Sequence, residues 1–198
     1  MQAEAYDLAS EVLRVSFNSD IKKNNKRCFQ ELLFQMLGAE FKGEELILGY
    51  QPPTKEVYNI ILNTRAGEKW PNKAWPDENW GSLEEKLNKE GYNVSVQHKQ
   101  SKEILSNLKK YMDWINSSKL IITNDSLGMH LGLALKKKVL VLFGPTSDKE
   151  VYFYGRGKAI LPKGKVGCMP CFQSKCSLKE SCINKISVED VYEEVRNY

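Results

Sequence analysis

The chain has 198 residues, of which 41% are hydrophobic and 27% charged, with 13 glycines and 7 prolines. This composition is typical of a folded globular protein and excludes collagen-like, low-complexity and intrinsically disordered classes. Lysine and arginine number 29 against 25 aspartates and glutamates, a formal net charge of +4, but the basic residues are spread along the chain. A nucleic-acid-binding protein usually concentrates such charge on one face, so we expect no nucleic-acid partner.

The start of the chain, MQAEAYDLASEV, lacks the basic region and the apolar run of a signal peptide. No stretch reaches the roughly 18 consecutive apolar residues of a membrane span. We therefore expect a cytoplasmic protein.

The length leaves room for one domain of roughly 150 residues and an extension. Residues 1–52 are predicted to form a helical extension, with helices near Glu4–Val15 and Phe29–Leu37, followed by a linker that ends in two prolines. Residues 53–198 are predicted to form the main domain.

Apolar runs alternate with helical patterns through this main domain. The predicted strands are Val57–Thr64, Tyr92–Gln97, Lys119–Thr123 and Val139–Phe143, and the helices between them carry the apolar faces Trp80–Leu87, Ile104–Ile115 and Leu131–Leu135. This alternation predicts an α/β fold, a Rossmann-like parallel sheet with helices on both faces. Ligands of such sheets bind beyond the carboxyl ends of the strands. We therefore expect function in the four loops Asn63–Pro76, Gln97–Lys102, Asn124–His130 and Gly144–Glu150.

The loop after the first predicted strand, Asn63–Pro76, has the composition of a phosphate site. Thr64 offers a hydroxyl donor, Gly67 lets backbone N–H groups approach an anion, and Lys73 supplies a positive charge. The alternative is a surface loop whose tryptophans pack onto the sheet.

The loop after the third predicted strand, Thr123–His130, leads directly into a helix. Asp125 or Ser126 is predicted to cap that helix, and Gly128 lets the backbone come close to a ligand, so that the helix dipole faces an anion. The alternatives are a capping pair without a ligand and, for His130, a histidine of the core or rim.

Four of the five cysteines, Cys168, Cys171, Cys176 and Cys182, lie within fifteen residues, with the spacing C-x2-C-x4-C-x5-C. Without a secretory signal this grouping favours a metal knuckle over disulfides. Four thiolates suit a structural zinc or iron ion, whose closed shell leaves no position for substrate. The alternative is four reduced thiols in a loop.

Four strings in order and at proper spacing carry a family resemblance. They are NTRAGEKWPNKAWPDENW from Asn63, ITNDSLGMHLGLAL from Ile122, VLVLFGPT from Val139, and the cysteine group. Over about residues 57–195 the chain resembles glycosyltransferase family 9, the lipopolysaccharide heptosyltransferases and their relatives. The resemblance implies a GT-B architecture, in which two Rossmann-like domains face each other across a cleft. This chain resembles the C-terminal, donor-binding half, preceded by a tail of the acceptor-binding half.

The resemblance also implies a function and roles for individual residues. The enzyme would transfer a hexose or heptose from a nucleoside-diphosphate sugar, such as ADP-heptose, to a lipid-linked or glycan acceptor in lipopolysaccharide or cell-envelope biosynthesis, and would lie at the inner membrane face. Lys73 and Thr64 would contact donor phosphate, Asp125, Ser126 and Gly128 would hold the diphosphate-sugar region, and His130 would lie beside them. A lysine and a helix N-terminus can stabilise the departing diphosphate, so we predict no divalent metal for catalysis.

The chain departs from the family pattern in ways that limit these expectations. Glycine follows Ser126 one position later than is usual, and the stretch Gln97–Lys99 has no acidic residue where relatives often bind the ribose. The general base is expected in the acceptor domain, so no catalytic residue is assigned, and turnover is expected to need that domain, for example in a partner chain. The alternative functions are a non-catalytic nucleotide-sugar-binding module and a cysteine-knuckle nucleic-acid binder.

Overall fold

In the part of the chain that the computed structural model describes, residues 10–15, 19–164 and 166–198, five parallel strands form one sheet. The strands are β1 (Tyr58–Asn63), β2 (Val94–Val96), β3 (Ser118–Asn124), β4 (Lys138–Leu142) and β5 (Gly157–Ile160), in the order β2-β1-β3-β4-β5. All neighbouring pairs are parallel, so the carboxyl ends of the strands lie along one edge. The predicted α/β sheet is confirmed, with β5 as an edge strand that the sequence did not predict.

Helices connect and cover these strands. They are α1 (Ser19–Asn24), α2 (Phe29–Met36), α3 (Asp77–Lys89), α4 (Lys102–Ser106), α5 (Leu108–Asn116), α6 (Leu127–Ala134) and α7 (Val188–Arg196). Residues 10–15 are also helical, whereas the first part of the predicted helix Glu4–Val15 lies outside the described residues. Short 3-10 helices occupy Pro71–Lys73, Gln97–Lys99, Asp148–Glu150 and Cys182–Lys185.

The helix predicted across Ile104–Ile115 is two helices, so that prediction is wrong in its continuity. The side-chain oxygen of Asn107 accepts hydrogen bonds from the backbone N–H groups of Lys109 and Lys110, at 3.0 and 3.2 Å. This N-cap begins α5 and separates it from α4. The apolar period continues across the break, which is why the pattern alone did not reveal it.

Two apolar layers cover the two faces of the sheet. One contains Trp75 and Trp80, whose rings meet edge to face at 4.9 Å between centroids, together with residues of α3 and α7. The other contains Ile115, Met129 and other residues of α5 and α6. This two-sided burial explains why β1, β3 and β4 each contain an uninterrupted apolar run, Ile60–Leu62, Leu120–Ile122 and Val139–Leu142.

The segment between α2 and β1 lies against the main domain. Leu46, Leu48 and Tyr50 pack on the α5–α6 side of the core. The Tyr50 hydroxyl donates to a carboxylate oxygen of Asp113 at 2.8 Å, and Thr54 donates to the Asp113 carbonyl at 2.9 Å. The boundary at residue 52 between an extension and a domain stays a prediction. Among the described residues, no helix has the length and apolar character to cross a membrane.

Candidate phosphate-binding site

Lys73 and Asp125 meet at the carboxyl edge of the sheet. Lys73 is the last residue of a 3-10 turn in the loop that follows β1, and Asp125 directly follows β3. Because β1 and β3 are neighbouring parallel strands, their loops leave the sheet side by side. The Lys73 ammonium lies 2.6 Å from Oδ2 of Asp125, and both side chains are largely buried, with exposed fractions of 17% and 13%. The two loops therefore converge as the sequence predicted.

Thr146 is a third member of this group. Its hydroxyl donates to the same Oδ2 atom of Asp125 at 2.7 Å. Thr146 is buried and follows β4, the next strand in the sheet. Thr146 was not itself predicted as a site residue, although it lies in a loop that was expected to be functional because it follows a predicted strand.

A cavity of about 570 Å³, here called cavity A, opens between these loops. Predicted site residues that line it are Gly67, Lys73, Asp125, Ser126 and Gly128; further lining residues include Arg65, Gln97 and Tyr111. A larger hollow of about 960 Å³ lies among residues 10–15 and 20–27, and none of its described lining residues was predicted as a site residue.

A second cavity of about 620 Å³, cavity B, lies on the other side of the Lys73–Asp125 pair. His130 lines it and is exposed to it, yet neighbouring protein atoms displace part of the water around the ring. The resulting loss of hydration lowers the pKa of His130, and the charge of Asp125 opposes this shift. His130 is thereby biased toward its neutral form.

Glu150 also lines cavity B; it ends a loop that was expected to be functional but was not itself predicted as a site residue. Burial raises the pKa of its carboxyl group, an effect opposed by Lys22 of α1, whose ammonium lies 3.5 Å away. The N-terminal helices thus approach the loop that follows β4, and this long-range contact leaves no local sequence pattern.

Thr64 lies at the end of β1, and the described residues that line the two cavities do not include it. Its backbone carbonyl accepts a hydrogen bond at 2.9 Å from Asn124, which also accepts one at 3.1 Å from the backbone of Trp75. Asn124 thus ties the β1 loop to the end of β3. The hydroxyl–phosphate contact expected of Thr64 stays a prediction.

Gly128 is required by packing inside the protein. A Cβ atom at this position would lie 2.3 Å from Nδ2 of Asn63 and 2.9 Å from the hydroxyl oxygen of Tyr111. That hydroxyl donates to the amide oxygen of Asn63, whose amide nitrogen donates to Thr123 at 2.8 Å. The glycine therefore makes room for a buried polar network. From the sequence we expected a glycine here so that the backbone could approach a ligand, whereas the structure explains it by internal packing.

The N-terminus of α6 has no side-chain cap. Ser126 is the N-cap residue, but its hydroxyl accepts instead from Nδ2 of Asn63 at 3.1 Å, while Asp125 turns to Lys73 and Thr146. The expected capping by Asp125 or Ser126 is wrong. The positive end of the helix dipole consequently faces cavity A, into which Ser126, Leu127 and Gly128 open.

The four clustered cysteines are free thiols and neighbours in space. Burial raises the pKa of Cys182, and the nearby Cys168, Cys171 and Cys176 thiols raise it further. Among the described residues, however, no group of three or more histidine, cysteine or acidic side chains is arranged to hold a metal ion. The thiols have the right chemistry for zinc or iron, but their arrangement does not form a ligand shell.

Comparisons with known proteins agree with this architecture. The family model "Glycosyltransferase family 9 (heptosyltransferase)" matches residues 105–181. Lipooligosaccharide heptosyltransferase 2 of Campylobacter jejuni is 38% identical over 79 residues, which cover 39% of this chain and 25% of that protein. Lipopolysaccharide heptosyltransferase 2 of Escherichia coli is 26% identical over 170 residues, 74% of this chain and 49% of that protein. The chain thus spans between a quarter and a half of the length of these relatives.

Solved structures share the fold. The E. coli ADP-heptose lipopolysaccharide heptosyltransferase II superimposes with a TM-score of 0.53 at 21% identity, covering 71% of this chain and 46% of that one. The iron-containing dodecameric glycosyltransferase TibC of enterotoxigenic E. coli superimposes with a TM-score of 0.65 at 13% identity, covering 87% and 53%. These structures share the fold, whereas the family match and the heptosyltransferase relatives show that the chain carries a glycosyltransferase family 9, heptosyltransferase-like domain.

Proposed function

We propose that the chain is the donor-binding part of a glycosyltransferase that uses a nucleoside-diphosphate sugar, ADP-heptose or a similar sugar. The observation that carries this proposal is the convergence of Lys73, Asp125 and Thr146 from three neighbouring loops, between two cavities. Ligand-bound relatives support the choice of nucleotide, since E. coli heptosyltransferase WaaC has been solved with ADP.

Lys73 is the residue that neutralises donor phosphate. An ammonium group has three N–H donors, and Asp125 takes one of them. The other two remain for phosphate oxygens. Asp125 is itself anionic and would repel a diphosphate, so we assign it to orienting Lys73, and in this respect we revise the role that the family resemblance implied.

The start of α6 supplies the second source of positive potential. When the bond between the anomeric carbon and the phosphate oxygen breaks, its electron pair leaves with the nucleoside diphosphate. The uncapped N–H groups at Ser126–Gly128 and the ammonium of Lys73 stabilise that growing negative charge. Because these groups can stabilise the leaving diphosphate, we propose that catalysis requires no divalent metal ion.

The acceptor and the base belong to the acceptor side. The acceptor hydroxyl attacks the anomeric carbon and loses its proton to a general base, which we place in an acceptor domain outside the described residues, in the same polypeptide or in a partner chain. We propose a lipid-linked or glycan acceptor of lipopolysaccharide or another cell-envelope polymer, and hence a location at the cytoplasmic face of the membrane.

Ligand binding tests the proposal directly. ADP or ADP-heptose at a hundredfold excess over its dissociation constant should raise the free energy of unfolding by about 2.7 kcal/mol. EDTA should leave this stabilisation intact. Lys73→Ala should remove about half of this stabilisation or more. A chain that ignores nucleoside diphosphates and their sugars would contradict the proposal, and donor binding without transfer after addition of an acceptor domain would instead favour a non-catalytic binding module.

We also propose a structural zinc or iron ion at Cys168, Cys171, Cys176 and Cys182. The proximity of the four thiols supports it, as does the presence of iron in the fold neighbour TibC. Binding would require the thiols to move into a tetrahedral arrangement, which the described residues do not form. Elemental analysis should find one ion per chain, and Cys182→Ser should lower the metal content. Purified protein with less than about a tenth of an equivalent would contradict the assignment.

A further inference from the structure

Asn72, the residue before Lys73, is tied to the cysteine segment, defined here as residues 168–182. Its backbone N–H donates to the Ser174 carbonyl at 3.1 Å, and its side-chain amide donates to the Gln173 carbonyl, also at 3.1 Å. Its amide oxygen accepts from the Ser181 hydroxyl at 2.6 Å. Asn72 is only 6% exposed, although it lies about a hundred residues away from these partners in the chain.

These contacts determine where Lys73 lies. Asn72 is the middle residue of the 3-10 turn Pro71–Lys73, which has three residues. A single turn of this length is not stable alone, because its few hydrogen bonds do not offset the entropy of fixing the chain. The position of the turn therefore depends on its tertiary contacts. Three of these contacts are the hydrogen bonds between Asn72 and the cysteine segment.

The cysteine segment also reaches the other side of the site. The backbone N–H of Phe172 donates to the Pro145 carbonyl at 2.8 Å. Pro145 immediately precedes Thr146, whose hydroxyl holds Asp125. One segment thus fixes the residue before Lys73 and the residue before Thr146.

We propose that Asn72 is a positioning residue, through which the cysteine segment holds the ammonium of Lys73 where it can bind a diphosphate. The inference rests on the proposed function in one respect, namely that Lys73 binds the donor diphosphate. Beyond the proposed function, we infer that donor affinity depends on the Ser181 hydroxyl, although Ser181 is not among the described residues that line either cavity.

A double-mutant cycle with ADP as the probe tests this tie. Ser181→Ala removes one bond to Asn72 and should raise the dissociation constant of ADP about fivefold, the size expected for one neutral hydrogen bond. Ser181→Thr keeps the hydroxyl and should restore affinity. Asn72→Ala should weaken binding at least as much, and adding Ser181→Ala to it should change nothing further, because the partner is already gone.

Ser174→Ala is the matched control. Ser174 contacts Asn72 through its backbone carbonyl, which alanine retains, so ADP binding should be unchanged. Thermal unfolding of each variant establishes that it is folded. The expected loss is in donor affinity, read as KM in any transfer assay, with kcat unchanged.

Hydrogen exchange gives a second measurement that needs no ligand. In Ser181→Ala and Asn72→Ala, backbone amides of residues 65–76 should exchange faster than in the wild-type chain, whereas those of β4 should not. If wild-type protein binds ADP while Ser181→Ala binds equally well and exchanges equally slowly, the inference is overturned and the proposed function stands. If wild-type protein does not bind ADP, the proposed function fails and the role of Asn72 in donor binding fails with it.

Discussion

The ammonium of Lys73 and the carboxylate of Asp125, 52 residues apart in the chain, lie 2.6 Å from each other at the carboxyl edge of the sheet. The Lys73 ammonium is held from two sides. It donates to the Asp125 carboxylate, and it lies over the Trp70 ring, with 5.0 Å between its nitrogen and the ring centroid. The lysine is therefore oriented before a ligand arrives. Preorganisation of this kind reduces the entropy that binding must offset.

Removal of the Lys73 ammonium should weaken ADP binding strongly. A hydrogen bond to a charged group contributes about 1.5–3 kcal/mol, so Lys73→Ala should raise the ADP dissociation constant roughly 10- to 100-fold. Lys69→Ala, an exposed lysine in the same loop, is the control and should change affinity by less than about twofold. Isothermal titration calorimetry at fixed ionic strength measures both. Equal affinities for the two variants would show that Lys73 is not the phosphate ligand.

Addition of a methyl group at Gly128 should destabilise the fold. The new Cβ atom would lie 2.3 Å from Asn63, which is held by the Tyr111 hydroxyl and Thr123 and cannot move without breaking hydrogen bonds. Gly128→Ala should lower the free energy of unfolding by about 1–3 kcal/mol, measured by urea denaturation.

The control for this prediction is Gly67→Ala. A Cβ atom at Gly67 would meet nothing within 4 Å, so its stability should match that of the wild-type chain. If Gly128→Ala were equally stable, the packing argument for this glycine would be wrong, and its approach to a ligand would again be the better explanation.

The predictable parts of the fold are those in which apolar residues recur in a regular pattern along the chain. β1, β3 and β4 are buried on both faces and therefore contain apolar runs, which together with the helical patterns between them predict a parallel sheet. The pairing of β1 with β3, which brings Lys73 to Asp125, does not follow from the runs alone. β5, with the sequence GKAI, is a short edge strand without such a run. Its pairing with β4 is visible only in three dimensions.

The unpredicted parts of the site depend on contacts between distant residues. Tyr111 meets Asn63 across 48 residues, and Ser181 meets Asn72 across 109. A single sequence carries no periodic signal for such pairs. Thr146 differs, because it follows a predicted strand and the same edge rule that selected Asp125 also applies to it.

Acidification should destabilise the protein partly through His130. Its surroundings lower its pKa, so the folded state binds fewer protons there than the unfolded chain, whose histidine titrates at about 6.5. The stabilisation linked to neutral His130 is complete above about pH 6.5 and is lost as the pH falls through the folded pKa. His130→Gln should therefore lose less stability than the wild-type chain between about pH 7 and pH 5.

His98→Gln is the control for His130, since His98 is exposed and is not among the described residues that line either cavity. Glu150, whose carboxyl pKa is raised, shifts stability in the opposite direction with pH, but it does so equally in each variant. Parallel pH profiles for wild type and His130→Gln would contradict the assignment.

Loss of the Thr146 hydroxyl should release Asp125 and alter donor binding without contact to the donor. Thr146→Val keeps the shape of the buried side chain but cannot donate to Oδ2 of Asp125, so Lys73 becomes the principal partner of that oxygen. An Asp125 carboxylate freed from threonine competes more strongly with phosphate for the lysine. Because this effect reaches the donor only through Asp125 and Lys73, ADP affinity should fall about three- to tenfold, which is less than the loss expected for removal of the Lys73 ammonium itself. Thr146→Ser retains the donor and should bind ADP like the wild-type chain. Titrations with ADP measure both variants, and a loss of affinity shared by Thr146→Ser would indicate that the methyl group, through packing, matters instead of the hydroxyl.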